Sequence, residues 1–209
     1  MLPRTANQKL FMSLMQSTNP PIVFASGPAG TGKTLLACHA GAQALSRRNV
    51  ERLILTRPAV SVDEEHGFLP GRLEQKMEPW TRPMFDALRC YYSPSQLRTF
   101  IHDGVIEVCP LAFMRGRTFD RSWIIADEMQ NSTPNQMRMV LTRIGNDSKL
   151  IVNGDPVQHD RGYENNGLID FLERLDGFHI PESIQYVRFT DADVVRHPVI
   201  KEILDVYKR

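Results

Sequence analysis

The sequence predicts an α/β protein, with a mainly parallel sheet, helices on both of its faces and a helical insertion. Helical stretches alternate along the chain with six short apolar runs, at 22–26, 53–56, 106–109, 123–127, 150–153 and 184–189. These runs are continuously apolar, which is typical of strands buried on both faces. At 209 residues the chain suits a single domain, 1–209, around one core.

Helix start signals support this alternation. A helix from Lys33 to Ser46 follows a glycine-rich loop directly. Capping boxes, in which the side chains and backbones of two residues cap each other, predict two more helix starts, at Thr5 with Gln8 and at Thr133 with Gln136. Pro134 stands at the favoured first position of the second of these helices, and we expect Gly145 to end it.

The stretch 61–95 interrupts the β/α rhythm, and we interpret it as an insertion made of a loop and one or two helices. It mixes cations with aromatic rings: Lys76, Trp80, Arg82, Phe85, Arg89, Tyr91 and Tyr92. Such mixtures hold single-stranded nucleic acid. Apolar residues here also recur at near-helical spacing, which favours core packing.

Composition excludes several classes of protein. The 25 basic and 24 acidic residues leave a net charge of +1, so any nucleic-acid surface has to be local. The three widely spaced cysteines suit a reducing compartment. Neither they nor the six histidines show the spacing of a zinc site. No apolar run reaches the length of a membrane span, and no signal peptide is recognisable, so we expect a cytoplasmic protein.

A phosphate-binding loop is the most specific motif. Residues 27–34, GPAGTGKT, match GxxxxGK[ST], the Walker A motif, between a strand and a helix. Its backbone N–H groups and the helix N-terminus face the phosphates. Lys33 is expected to reach the β- and γ-phosphates and Thr34 to ligate Mg²⁺. The candidate nucleotide contacts are Gly27, Pro28, Ala29, Gly30, Thr31, Gly32, Lys33 and Thr34.

An acidic pair supplies the matching Walker B element. Asp127 ends an apolar strand and is placed to hold Mg²⁺ through water, and Glu128 is the candidate base that polarises an attacking water. Adjacent acids suit water as the nucleophile, so hydrolysis is favoured over transfer to a metabolite. Gln158, after Gly154 and Asp155, is expected to orient that water near the γ-phosphate.

The order of these elements resembles superfamily 1 helicase motors, and longer segments resemble the PhoH family of P-loop ATPases. The segments are GFLPGRLEQKMEPWTRPMFDAL (67–88), PLAFMRGRTFDRSWIIADEMQN (110–131), GDPVQ (154–158) and DVVRHPVIKEILDVY (193–207). The resemblance implies a single RecA-like P-loop NTPase domain, ATP and Mg²⁺ as cofactors, ATPase activity, and a role with RNA or DNA.

The same resemblance assigns roles to individual residues. Gln8 resembles a glutamine that reads the adenine edge, although it also completes a capping box. Arg196 resembles an arginine that senses the γ-phosphate, and a surface arginine is the alternative. Arg115 and Arg117 lie in the segment with which superfamily 1 motors line their strand path, although Arg115 could instead pair with an acid.

One RecA-like lobe raises the question of assembly, because two-lobed helicases complete their site with arginines from the second lobe. An arginine finger accelerates hydrolysis by roughly 10³–10⁵. Either Arg196 acts in cis or a neighbouring subunit supplies an arginine, so we expect a homo-oligomeric ring; the resemblance implies a hexamer. The candidate fingers are Arg57, which ends the second strand, Arg161 and Arg196.

The leading hypothesis is an ATPase that couples hydrolysis to remodelling or unwinding of single-stranded RNA or DNA. The alternative is a nucleotide-gated oligomeric interaction module with slow turnover and no nucleic-acid track. A small-molecule phosphotransferase lacks a recognisable acceptor-binding element.

Overall fold

The structure is a computed structural model that describes residues 2–58, 73–158, 166–177 and 181–195, together with 199 and 206. Within 73–80 it describes only the helical backbone. Within these ranges no helix is both long and apolar enough to cross a membrane.

A six-stranded sheet forms the centre of the molecule, and every pair of neighbouring strands is parallel. The strands are β1 (Ile22–Ser26), β2 (Arg52–Thr56), β3 (Ile106–Val108), β4 (Ser122–Ala126), β5 (Lys149–Gly154) and β6 (Ile184–Arg188), in the order β3-β2-β4-β5-β1-β6. All six predicted strands are confirmed to within one residue at each end.

Within the described ranges, six α-helices lie around the sheet: α1 (Ala6–Gln16), α2 (Lys33–Ser46), α3 (Leu73–Leu88), α4 (Pro94–His102), α5 (Pro134–Leu141) and α6 (Gly167–Asp176). Helix α2 has the predicted bounds. Both predicted capping boxes are present, at the N-termini of α1 and α5. In each box a threonine hydroxyl accepts from a backbone N–H, and the glutamine amide oxygen accepts from the threonine N–H.

The core has two layers because successive strand residues point to opposite faces of the sheet. Val23 and Ala25 of β1 join the layer that contains the buried residues of α1, α2 and α3. Phe24, between them, joins the layer that contains Met137 of α5 and Leu168 of α6. Helices on both faces are thereby confirmed.

Gly145 does not end α5, and this prediction is wrong. The helix ends at Leu141, and Gly145 lies where the chain crosses Phe119. The N–H of Gly145 donates to the Phe119 carbonyl at 2.9 Å, and a Cβ on Gly145 would stand 2.8 Å from that same oxygen. The glycine therefore permits a close approach of two backbones.

The insertion contains two helices, in line with the prediction, but they reach further than expected. Helix α4 continues to His102, past the predicted limit at 95, and a capping box of Ser93 with Gln96 starts it. The predicted loop before them falls largely on 59–72, outside the described residues. Helix α3 packs against α2, which brings the insertion beside the glycine loop.

Candidate nucleotide-binding site

The carboxyl edge of the sheet brings the predicted motifs together. Strands β1, β5 and β4 are neighbours, so the glycine loop after β1 lies near the residues that end β5 and follow β4. Open parallel sheets bind ligands at this edge. A cleft of about 510 Å³ opens there, and its lining includes Gly30, Lys33, Thr34, Asp127, Glu128 and Gln158.

The glycine loop has the backbone that a phosphate cradle needs. Gly27 adopts φ +138°, and a Cβ there would stand 2.3 Å from the carbonyl oxygen of Phe189. Gly32 adopts φ +83° at the N-cap of α2, so the first N–H groups of that 14-residue helix open onto the loop. Unpaired N–H groups at a helix N-terminus attract anions.

Lys33 lies inside the loop. Its Nζ donates to the carbonyls of Gly27 at 2.6 Å and Pro28 at 2.8 Å, and to Thr31 Oγ1 at 3.3 Å. Burial lowers the pKa of Lys33, while Asp155, Glu128 and Asp127 oppose that shift. A desolvated ammonium group held by neutral carbonyls can exchange them for phosphate oxygens, which carry more charge.

Thr34 and Asp127 are in direct contact, as a shared Mg²⁺ site requires. Thr34 Oγ1 donates to Asp127 Oδ1 at 2.7 Å, and Asn153 Nδ2 donates to the same oxygen at 3.3 Å. Asp127 is 3% exposed. Burial raises its pKa, and the charge of Glu128 raises it further, whereas Thr34, Arg57 and Asn153 act in the opposite direction.

These residues fit Mg²⁺. The ion is commonly held by one or two carboxylates, with the remaining ligands from water and substrate phosphates. Asn153 Oδ1 is buried without a hydrogen-bond partner among the described residues, and it belongs to the amide that contacts Asp127. This oxygen could accept a hydrogen bond from a metal-bound water. The same part of the chain holds no cluster of three or more His, Cys, Asp or Glu side chains suited to a metal, so a bound Mg²⁺ would need phosphate oxygens and water as further ligands.

Glu128, the predicted general base, has an unusual backbone conformation. It adopts φ +53°, a left-handed conformation that is uncommon outside glycine and clusters at functional sites. Its Oε2 accepts from Gln130 Nε2 at 2.6 Å, and its Oε1 lies 3.8 Å from Arg57 Nη2. The Gln130 Oε1 accepts from the backbone N–H of Asp155 at 3.0 Å, so Gln130 ties Glu128 to the end of β5.

Gln130 and Asn153 are functional candidates that the sequence analysis missed. Each had a signal: Asn153 is the polar residue near the end of a buried strand, and Gln130 follows the acidic pair by two residues. Neither signal names a partner, because the contacts of Asn153 with Asp127 and of Gln130 with Asp155 join segments that belong to neighbouring strands.

Gln158 is exposed and lines the same cleft. The opposite wall is unexpected, since it consists of the insertion. Pro83, Asp86 and Ala87 of α3, with Cys90 just beyond it, face the glycine loop. The insertion therefore contributes to the nucleotide cleft.

Gln8 connects α1 to the glycine loop. Its Nε2 donates to the Thr31 carbonyl at 3.0 Å, and its Oε1 accepts from the backbone N–H groups of Arg4 at 2.7 Å and Thr5 at 3.4 Å. The capping role is present, and the adenine contact stays a prediction.

Arg161 and Arg196, both predicted as finger candidates, lie outside the described residues. The chain just before Arg196 reaches the loop: the N–H of Val195 donates to the Gly30 carbonyl at 3.1 Å. Arg57, the third candidate, lies at the site beside Glu128.

Arg115 and Arg117, the predicted nucleic-acid residues, have different surroundings. Both guanidinium Nη atoms of Arg117 donate to Glu107, one of them at 2.9 Å, and this pairing lowers the pKa of the Glu107 carboxyl. Arg117 also stacks over the Phe119 ring at 4.5 Å. Arg115 lines a separate cleft of about 580 Å³ with Arg138 and Arg143.

Two relatives are similar to almost the whole of this chain. A PhoH-like protein of Mycobacterium tuberculosis (strain ATCC 25618 / H37Rv) is 46% identical over 211 residues, covering 99% of this chain and 58% of the relative. One of Bacillus subtilis (strain 168) is 41% identical over 208 residues, covering 99% and 63%. The chain thus spans about three fifths of the length of these relatives.

Two solved structures share the fold. The large terminase of a thermophilic bacteriophage, in complex with ADP, gives a TM-score of 0.52 at 12% identity, covering 93% of this chain and 48% of the terminase chain. The Sulfolobus solfataricus SWI2/SNF2 ATPase core in complex with dsDNA gives 0.52 at 16%, covering 91% and 45%. The fold is therefore that of a single RecA-like P-loop NTPase domain. The family model described as "PhoH: PhoH-like protein" matches residues 1–208, and the chain belongs to that family.

Proposed function

We propose that the chain binds ATP with Mg²⁺ and hydrolyses it to ADP and phosphate. The contact between Thr34 Oγ1 and Asp127 Oδ1 carries this proposal, because it joins the two predicted metal ligands at the mouth of the glycine loop. Lys33 and Glu128 line the same cleft.

Each residue has a distinct task in this proposal. Lys33 binds oxygens of the β- and γ-phosphates, and Thr34 and Asp127 would hold Mg²⁺, which would supply neutralisation of phosphate charge. A water oxygen attacks the γ-phosphorus, Glu128 accepts the water proton, and ADP leaves. Gln130 keeps Glu128 oriented through their 2.6 Å hydrogen bond, and Gln158 orients the water from the exposed side.

ATP is the proposed nucleotide on account of Gln8. Its amide already contacts the loop through Thr31, so it lies at the cradle. The second hydrogen on Nε2 can donate to an adenine nitrogen without breaking the cap of α1.

Release of inorganic phosphate tests the hydrolysis. The purified chain should release phosphate from ATP with Mg²⁺ and lose that activity when EDTA removes the metal. Lys33→Ala should lower the rate by about 100-fold or more, because a fixed donor at the transition state is lost. No phosphate release from the folded wild-type chain would contradict the proposal.

We further propose that hydrolysis is coupled to single-stranded RNA or DNA held in the cleft between residues 111–114 and α5. Its lining contains Arg115, Arg138 and Arg143 and, within the part of the chain described, no acidic residue. The side chains of Arg115 and Arg138 have no hydrogen-bond or ion-pair partner among the described residues. Phe113, two residues before Arg115 in the chain, is 58% exposed and offers a ring on which a base can stack.

The nucleic-acid proposal is tested by phosphate release with and without a single-stranded homopolymer of RNA or DNA, at two salt concentrations. The double variant Arg115→Gln/Arg138→Gln should lose the stimulation and most of the salt dependence of binding. Arg47→Gln/Arg48→Gln removes two exposed arginines at the end of α2 and is the matched control. Absence of stimulation and of salt-dependent binding would favour a nucleotide-gated module without a track.

We also propose that the chain assembles into a ring, for which six subunits is the count that the resemblance suggests. Lys33 and Arg57 lie at the proposed phosphate site, and the Val195–Gly30 contact brings the chain before Arg196 to the glycine loop of its own subunit. An arginine from a neighbouring subunit would add to the positive charge of this single lobe. Light scattering should give a mass of several chains. If an arginine acts in trans, mixing Lys33→Ala with Arg196→Ala should restore part of the activity that each variant lacks alone. A monomer with full turnover would contradict the ring.

A further inference from the structure

A third cleft lies at the edge of the sheet, away from the glycine loop. It has a volume of about 460 Å³ and is bounded by α3, α4 and the edge strand β3. Its walls are largely apolar: Phe85, Leu97, Ile101, Ile106 and Val108. This volume lies within the range of small-molecule sites, about 300–1,000 Å³.

The mouth of this α3–α4 cleft is cationic. Arg82, Arg89 and Arg98 line it, and the acidic residue in its lining is Glu107. Glu107 is already neutralised, because Arg117 holds both of its carboxylate oxygens. The side chains of Arg82 and Arg98 are exposed and have no hydrogen-bond or ion-pair partner within the described ranges. The cleft therefore presents an apolar wall and unbalanced positive charge.

Helix α3 is a wall shared by the two clefts. Arg82, Phe85 and Arg89, spaced by three and four residues, form one stripe of the helix and its end, and this stripe lines the α3–α4 cleft. Asp86 lies on the stripe that faces the glycine loop. An ion pair of 3.0 Å between Arg89 Nη1 and Asp86 Oδ1 connects the two stripes.

We propose that the α3–α4 cleft is an effector site for an organic anion with an apolar body, and that its occupation weakens ATP binding. The apolar body packs against Phe85 and Leu97, and the carboxylate, sulfonate or phosphate head binds the arginines. The anion competes with Asp86 for Arg89. Asp86 then faces the triphosphate with its charge uncompensated, so the two ligands oppose each other. Linkage requires ATP to weaken the binding of the anion by the same factor.

The first test uses 8-anilinonaphthalene-1-sulfonate, an aromatic sulfonate whose fluorescence rises in apolar surroundings, with the full chain. Arg82→Gln/Arg98→Gln should raise its Kd about fivefold or more, since each exposed ionic contact contributes modestly. Arg47→Gln/Arg48→Gln should bind as wild type does. The neutral analogue N-phenyl-1-naphthylamine should bind wild type more weakly than the sulfonate, and it should not distinguish the two double variants.

The second test measures coupling. The ATP affinity from titration calorimetry should fall roughly two- to fivefold when the sulfonate is saturating, in proportion to a weak exposed ion pair. Asp86→Asn should bind the sulfonate and lose the coupling. Lys33→Ala should leave the sulfonate affinity unchanged, since Lys33 lines the other cleft.

Three results would overturn the proposal. The first is equal sulfonate affinity in the two double arginine variants. The second is complete displacement of the sulfonate by ATP, which would locate the sulfonate at the glycine loop. The third is an unchanged ATP affinity at saturating sulfonate. Circular dichroism confirms that each variant is folded. The sulfonate titration requires no hydrolysis, so it stands apart from the proposed ATPase activity.

Discussion

The two ends of the sheet both bury charge, but the groups that surround the charge differ. At the carboxyl end Asp127 is 3% exposed and faces Glu128, and this like charge together with burial raises its pKa. At the amino end Lys149 is 6% exposed, and its Nζ donates to the carbonyls of Leu14, at 2.8 Å, and Ser17. These carbonyls lie at the C-terminus of α1, where a positive charge is favourable.

The difference separates structural from functional charge. Lys149 satisfies carbonyls that would otherwise lack partners, so its burial supports the fold. Asp127 and Glu128 stand next to each other, with Glu128 in a left-handed conformation, and both features cost stability. This loss of stability is consistent with the proposal that the carboxyl end binds a cation and a polyphosphate.

The largest expected effect compares two glycines, one at each end. A Cβ at Gly27 would meet the Phe189 backbone, whereas a Cβ at Gly104, φ +70°, would meet nothing within 4 Å. Gly27→Ala should lower the free energy of unfolding by roughly 3 kcal/mol or more, and Gly104→Ala by about 1 kcal/mol, the cost of the backbone conformation alone. Urea unfolding measures both, and equal losses would contradict the close approach at Gly27.

Asp127→Asn should stabilise the fold while removing Mg²⁺-dependent activity. The asparagine Oδ1 can keep the hydrogen bonds from Thr34 and Asn153 and carries no buried charge. We expect a gain of roughly 1–2 kcal/mol in the free energy of unfolding at pH 7. A loss of stability would show that Asp127 is a structural residue.

The pH dependence of this gain follows from the raised pKa of Asp127. The folded state holds the Asp127 proton more tightly than the unfolded state does, so ionisation costs stability above the folded pKa. As the pH falls through that pKa, wild type should recover stability and the advantage of Asp127→Asn should shrink. Chemical unfolding at a series of acidic pH values measures the difference.

The smallest effect concerns Lys149, whose pKa burial lowers to about 8. Between that value and the ordinary lysine value the unfolded chain binds more protons, so wild-type stability should rise with pH. Lys149→Met should lack this rise, which we expect to amount to about 1 kcal/mol between pH 7.5 and 9.5. Unfolding curves of wild type and of Lys149→Met at pH 7.5 and 9.5 test this prediction. An identical change of unfolding free energy with pH in the two proteins would contradict it.

Strands and motifs were predictable because their signals are local. Apolar runs predict buried strands, and the motif GPAGTGKT lies within eight consecutive residues. Asp127 followed from its place after such a run. Contacts between distant segments were not predictable in the same way. A glycine is typical of a helix end, yet Gly145 instead permits a close approach to the backbone of Phe119, 26 residues earlier.

The charged residues show the same limit. Arg117 has the sequence character of a free cation, but Glu107, on β3, holds it. The sequence of α3 indicates an amphipathic helix and does not reveal that one stripe faces the glycine loop and the other a second cleft. Such roles depend on how helices pack, which no local pattern determines.

A single-turnover measurement on Glu128→Gln tests the central claim most directly, since it separates nucleotide binding from chemistry. With Mg²⁺ and ATP, this variant should bind the nucleotide about as tightly as wild type does, because Lys33, Thr34 and Asp127 are intact. Its phosphate release should be slower by about 100-fold or more, since the amide cannot accept the water proton. Phosphate release by Glu128→Gln at the wild-type rate would contradict the account.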